Sequence, residues 1–246
     1  RDRSPSRGLG DVYKRQMIAY ATDDQGHREI LGFGVYANES KETWKSFIRD
    51  LKARGLRNVL MITSDAHEGL CDAISKEFPQ AAWQRCQFHF SKNIAEKAPK
   101  KYQAGIRSEL SEMFNCITIE EARRKRDSII ADYQEVAESA MTCLDEGFES
   151  SMTAMILPKY LRQYFRTSNH IERINRELKR RSKVIGVFPN EASILRLMGS
   201  VLMELNDAAQ ARKVLFSPKT YNKLMSTEVK NKLIILANEQ QLLRVS

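Results

Sequence analysis

Apolar residues recur along this chain with two periods, and together the periods outline most of its elements. Met17–Thr22 (MIAYAT) and Ile30–Ala37 (ILGFGVYA) are apolar and rich in β-favouring residues, and they flank Asp23-Asp24-Gln25-Gly26. Two short strands around a Gly-containing turn predict a β-hairpin. Acidic residues in such a turn are turn formers, so Asp23 and Asp24 are assigned to the turn rather than to chemistry. Beyond it, Trp44, Phe47, Ile48 and Leu51 keep the i, i+3, i+4, i+7 spacing of an amphipathic helix over 41–54, with Ser40 as its N-cap and Gly55 as its stop. Asn58–Thr63 then reads as a strand buried on both faces, and the strand–helix–strand order implies a crossover with parallel pairing. A helix over 66–77 follows, with Leu70, Ala73 and Ile74 inward. After Pro79 come a short strand over 81–86 and a helix from His89 to about Lys97.

The pattern changes at 98–150, which is rich in Glu, Lys, Arg and Ala and has no strand signal. Ile106, Leu110, Met113 and Phe114 stand at helical spacing, so this stretch reads as an all-helical insertion. A long helix is expected over 168–183, docked by an apolar stripe of Ile171, Ile174 and Leu178. Another, amphipathic, is expected over 190–211 behind the loop Gly186-Val187-Phe188-Pro189, and the rest of the chain reads as helical or irregular. Residues 1–16 carry no apolar periodicity. They read either as a basic disordered tail or as non-native, because SRGLGDVYKRQ resembles the translation of a sequencing-library adapter, in which case the natural chain continued upstream of Met17.

Composition narrows the class. The 246 residues are 42 % hydrophobic and 29 % charged, enough apolar material for a core. No apolar run approaches the roughly 20 residues that span a bilayer, and no secretory pattern is seen. Four well-separated cysteines do not read as a disulfide framework, so a reducing cytoplasm is the default. The net charge of +9 favours polyanionic partners. Most of it sits in residues 159–183, where nine Lys and Arg face only Glu172 and Glu177.

Two carboxylates stand out. Asp65 directly follows an apolar strand, where α/β sheets place ligand-facing groups, although an N-cap for the next helix is an equal reading. Glu172 lies among bases, where it is either an intrahelical ion-pair partner or a metal ligand beside phosphate-binding cations. Cys86 and His89 form a C-x-x-H pair. A structural zinc needs four ligands, and no second pair at ligand spacing exists, so local packing at the edge of a site is the favoured reading.

Three stretches taken together resemble the mutator-type transposases of bacterial insertion sequences. They are Asp65-Ala66-His67-Glu68-Gly69-Leu70, then Phe78-Pro79, then Gln84-Arg85-Cys86 with His89. Arg166 to Arg176, with Glu172, Arg173 and Asn175, is similar to the family segment that carries its last catalytic Glu. Glu29 to Gly32, Glu39-Ser40 with Trp44, and Leu51 to Gly55 also fit. The resemblance covers residues 17 to about 215. Glu77 departs from it, standing where a small residue is expected, and so does Ala209, where an aromatic is common.

The resemblance implies an α/β, ribonuclease-H-like mixed sheet with an all-helical insertion and a helical C-terminal part. Residues 17–97 would form the first part of the core, 98–157 the insertion, 158–215 the second part, and 216–246 a helical tail. It implies an Asp-Asp-Glu triad holding two Mg²⁺ or Mn²⁺ ions, with Asp65 as the second Asp and Glu172 as the Glu, both catalytic and both metal ligands. Cys86, His89 and Asn175 would support the site. Arg166, Arg173, Arg176, Lys179, Arg180, Arg181 and Lys183 would bind DNA phosphates. The first Asp would lie upstream of Met17, so the chain as given is expected to be an N-terminally truncated and nearly inactive core. The implied partners are double-stranded DNA, both transposon terminal repeats and target, and further copies of the chain on that DNA, in the bacterial cytoplasm at the nucleoid and with no membrane. Two other functions share the same residues: a non-catalytic DNA-binding fragment, and a ribonuclease-H-like nuclease without strand transfer. A zinc module built on Cys86 and His89 is a third.

Overall fold

A computed structural model of the chain describes residues 16–36, 38–185 and 191–245. Residues 1–15 of the tail expected over 1–16, the end of the second strand at Ala37 and the loop at 186–189 lie outside the described residues, whereas Gln16 opens the first strand. The chain divides into two compact units. The first holds the described residues up to Arg57, with Glu68–Glu77 and Asn169–Lys223; the second holds Asn58–His67, Phe78–Ser168 and the residues from Leu224 on.

In the first unit, β1 (Gln16–Thr22) and β2 (Arg28–Val35) form the predicted antiparallel hairpin, with a bulge between Ala19 and Tyr20. Asp23 serves its own turn: its Oδ1 accepts from the backbone N–H of Gln25 at 2.9 Å and of His27 at 2.8 Å. Gly26 has φ +84°, open to glycine without strain, and a side chain there would collide with the Phe216 backbone. Helix α1 (Lys41–Ala53) starts at a capping box, in which the Ser40 hydroxyl accepts from Thr43 N while Thr43 Oγ1 accepts from Ser40 N. Its face of Phe47 and Leu51 packs on Met17. Helix α2 (Glu68–Glu77) buries Ala73 and Ile74, and Glu77 accepts from Arg49 and Lys52 of α1. The departure from a small residue at 77 thus joins α1 to α2 by an ion pair.

The second unit is built around β3 (Met61–Ser64) and β4 (Ala82–Arg85), paired in parallel. Here the structure corrects the sequence expectation. The strand drawn over 58–63 is shorter: it begins three residues later, at Met61, and ends one later, at Ser64, and Asn58 takes a left-handed φ of 54° that no strand accommodates. Its residues Met61–Thr63 are half-buried rather than buried on both faces. Among the described residues the four strands form two two-stranded sheets rather than one mixed sheet, and the parallel partner of β3 is β4. Helices α3 (Gln87–Lys97), α4 (Gln103–Phe114), α5 (Ile119–Tyr133) and α6 (Glu138–Ser151) enclose a core of Phe90, Ile94, Ile106, Leu110, Met113, Ile129, Leu144 and Phe148. A 3-10 turn, Thr153–Ile156, leads into α7 (Lys159–Phe165).

The remaining helices are α8 (Asn169–Ile185), α9 (Glu191–Gln210), α10 (Pro218–Leu224) and α11 (Thr227–Val245). In the first unit, α8 and α9 pack Ile174, Leu178, Ile194, Met198, Val201 and Leu202 around Ile18 of β1. No described helix is long and apolar enough to cross a membrane.

Candidate functional site

Asp65 lies at the carboxyl end of β3, and Cys86 at the carboxyl end of β4. The parallel register sets Ser64 beside Arg85, and Cys86 N donates to Ser64 O at 2.7 Å. The two predicted residues therefore flank one end of the same strand pair. The Asp65 residue is exposed, and its backbone is fixed by the Ser64 hydroxyl, which donates to Asp65 O at 2.7 Å and accepts from the Trp83 indole at 2.9 Å. Helix α2 begins at Glu68, three residues past Asp65.

The segment leading into α8 is stitched to these strand ends. Thr63 Oγ1 donates to Phe165 O. Gln87 N donates to Arg166 O at 3.0 Å. The buried Cys86 sulfur accepts from Ser168 N at 3.3 Å and meets Ser168 Oγ at 3.2 Å. His89 is half-buried on the first turn of α3, with its ring edge-on to Phe88 at 5.4 Å between centroids.

Gln84, read only as part of a motif, has a fully buried and fully employed amide. Its Nε2 donates to Arg85 O at 2.6 Å and Ser151 O at 2.7 Å, and its Oε1 accepts from Ala154 N at 2.6 Å. The amide thus binds β4 to the end of α6 and the 3-10 turn. Ser168 was not anticipated either. Its only sequence signal was its position between the strand-tethered segment and the basic helix.

In the first unit, α8 presents its apolar stripe inward, as its spacing predicted, with Ile171 partly and Ile174 and Leu178 fully buried. Glu172 and Asn175 are half-buried on its first two turns, while Arg173, Arg176, Lys179 and Lys183 are exposed. The acid that takes up the neighbouring arginines is Glu177. It accepts from Arg180 at 2.9 and 2.7 Å and from Arg181 at 2.8 Å, and these bonds pull its carboxyl down to about 2. Arg181 also forks onto Glu204 of α9, with both bonds at 2.8 Å. Arg166, in the second unit, spends Nη1 on Phe114 O at 3.1 Å and Asn115 Oδ1 at 2.9 Å, where it closes the C-terminal end of α4. His170 stacks on Tyr20, and burial, followed by the charges of Arg28, Arg173 and Arg212, holds its imidazole below the usual range.

Comparison with known proteins adds the family. The model for transposases of the Mutator family matches residues 5–211. The chain is 40 % identical over 192 residues to the transposase for insertion sequence element IS256 in transposon Tn4001 of Staphylococcus aureus, covering 77 % of this chain and 49 % of that protein. It is 36 % identical over 198 residues to the IS1081 transposase of Mycobacterium tuberculosis, covering 78 % and 46 %. With the IS406 transposase of Burkholderia multivorans it shares 36 % identity over 203 residues, covering 80 % and 51 %. The chain spans about half the length of these curated relatives.

Proposed function

This chain belongs to the mutator family of transposases, and on that footing we propose that Asp65 and Glu172 are two carboxylate ligands of a divalent-metal centre for DNA cleavage and strand transfer. The observation that carries the reading is the stitching of residues 165–168 to the carboxyl ends of β3 and β4. Glu172 follows Ser168 by four residues, a length of chain that reaches at most about 14 Å when fully extended. Connectivity alone therefore bounds how far Glu172 can lie from Ser168, the residue bonded to Cys86.

The donor set fits the metal. Mg²⁺ and Mn²⁺ select carboxylate oxygens over thiolate, and Asp65 offers its carboxylate at an exposed strand end. Cys86 is employed by Ser168 and acts by positioning the segment that leads to Glu172. His89 and Asn175 stand as supporting residues. Bound metal would stabilise charge on the attacking and leaving oxygens of the phosphodiester. The chain's own residues hold and orient the DNA. Arg173, Arg176, Lys179 and Lys183 form the exposed face that contacts backbone phosphates, with Arg180 and Arg181 partly drawn to glutamates and Arg166 to α4. Double-stranded DNA of transposon ends and target is the proposed substrate, engaged by more than one copy of the chain in the bacterial nucleoid.

Terbium luminescence, with Mg²⁺ as competitor, tests the centre directly. Asp65→Asn and Glu172→Gln should each weaken cation affinity by tenfold or more. Unchanged affinity in both variants would remove the centre and leave a DNA-binding protein without chemistry.

A further inference from the structure

Most of the chain's surplus charge lies in residues 159–183, over α7 and α8, yet a second group of cations is assembled from residues far apart in sequence. Tyr20 lies on β1 and Arg28 on β2; His170 and Arg173 lie on the first turns of α8, and Arg212 lies just past α9. The Tyr20 and His170 rings stack with centroids 5.1 Å apart and planes 19° from parallel. Arg173 follows His170 by three residues on α8, about one helical turn, and the charges of Arg28 and Arg212 bear on the Tyr20 phenol. Arg28 Nη2 donates to Lys213 O at 3.1 Å, tying the segment that carries Arg212 to the start of β2.

Among the described residues, none of these three guanidiniums forms an ion pair, in contrast to Arg180 and Arg181, which are met by Glu177 and Glu204. Three like charges gathered about two rings repel one another, and a shared anion relieves that repulsion. Guanidinium forks match phosphate oxygens in pairs, and the phenol and imidazole offer further hydrogen-bonding groups.

We infer that Arg28, Arg173 and Arg212, arranged about the Tyr20–His170 stack, form a composite site for a backbone phosphate of DNA. The inference rests on the DNA-binding reading above. It adds a contact outside α8, to which Tyr20, Arg28 and Arg212 contribute.

The test is fluorescence anisotropy of a labelled random-sequence DNA duplex with the whole chain over a salt series, with circular dichroism confirming that each variant keeps its fold. Arg212→Gln is the informative variant, because Arg212 is exposed, whereas Arg28 also secures Lys213 O. We expect roughly tenfold weaker binding and a salt slope smaller by about one, with Arg212→Lys recovering most of the slope. If Arg212→Gln binds like the parent while Arg176→Gln is weakened, the composite site is overturned and DNA binding through α8 stands. If the parent itself shows no salt-dependent binding, both readings fall. If inorganic phosphate displaces the duplex from the parent but not from Arg212→Gln, at concentrations that barely change ionic strength, the site takes free phosphate and the assignment to DNA is overturned.

Discussion

At the residue scale, the motif Gln84, Cys86 and His89 was legible as a spacing but not as a set of roles. Spacing says that residues belong together; only the partners say what each does. Gln84 satisfies two carbonyls and one buried N–H, so it is a structural staple. Gln84→Leu should lower unfolding free energy by about 1–3 kcal/mol, since the Ala154 N–H is left buried without its acceptor. A denaturant titration with an unchanged midpoint would contradict this. Cys86 accepts a hydrogen bond from the Ser168 backbone, a task an oxygen performs equally well. Cys86→Ser should therefore leave divalent-cation affinity within about twofold of the parent, whereas a thiolate ligand to the metal would make the same change costly. Asp65 and Glu172 stood out as candidates because each breaks a local rule: Asp65 ends an apolar strand, and Glu172 interrupts a run of bases.

At the scale of elements, amphipathic helices were readable because one buried face imposes its period on the sequence. The spacing of α1 and of α8 is an example, and Ile174 and Leu178 are buried as that spacing requires. Short strands were less readable. Four residues of β3 carry too little pattern to fix their ends, and the left-handed turn at Asn58 is written in no apolar period. The charge of α8 was also only half legible. Its bases could be counted, but their pairing depends on Glu204 from another helix. That pairing makes a prediction. Glu177→Gln releases Arg180 wholly and Arg181 in part, so DNA affinity should rise by a few fold and the salt slope should steepen. The same anisotropy series checks it, and an unchanged slope would show that these arginines face away from DNA. The sign with pH follows. The Glu177 carboxyl is held down to about 2, so its ion pairs persist above the ordinary carboxylate range near 4.5 and are lost as pH falls from there toward 2. Glu177 is half-buried but its partner Arg180 is exposed, so raising salt should screen the pairs as well.

For the whole molecule, the family was recognisable from separated motifs, while the partition into units was not, because each unit is assembled from three discontinuous stretches of chain. The clearest instance lies at the C-terminal end. Residues 227–245 fall beyond the 5–211 region matched to the family, and their sequence predicted only a helix. Yet α11 completes the second unit. One edge of β4 is paired with β3; on the other, the Gln240 amide takes the place of a neighbouring strand. Its Oε1 accepts from Trp83 N at 2.8 Å and its Nε2 donates to Trp83 O at 2.9 Å, while Arg244 lies over the Trp83 ring at 5.0 Å. An open strand edge exposes unpaired N–H and C=O groups and invites association with other chains, so a side-chain amide that occupies it has a clear physical use. Gln240→Ala should cost about 1–3 kcal/mol and speed hydrogen exchange at Trp83 N above that of the β3-paired amides Ala82 and Cys86. Removing residues 227–246 should go further, lowering the melting temperature and promoting concentration-dependent association through β4. Native-state hydrogen exchange with light scattering reads both effects. If Trp83 N stays as protected in the truncated chain as in the parent, then α11 is an appendage, and the edge of β4 must be secured by another part of the second unit.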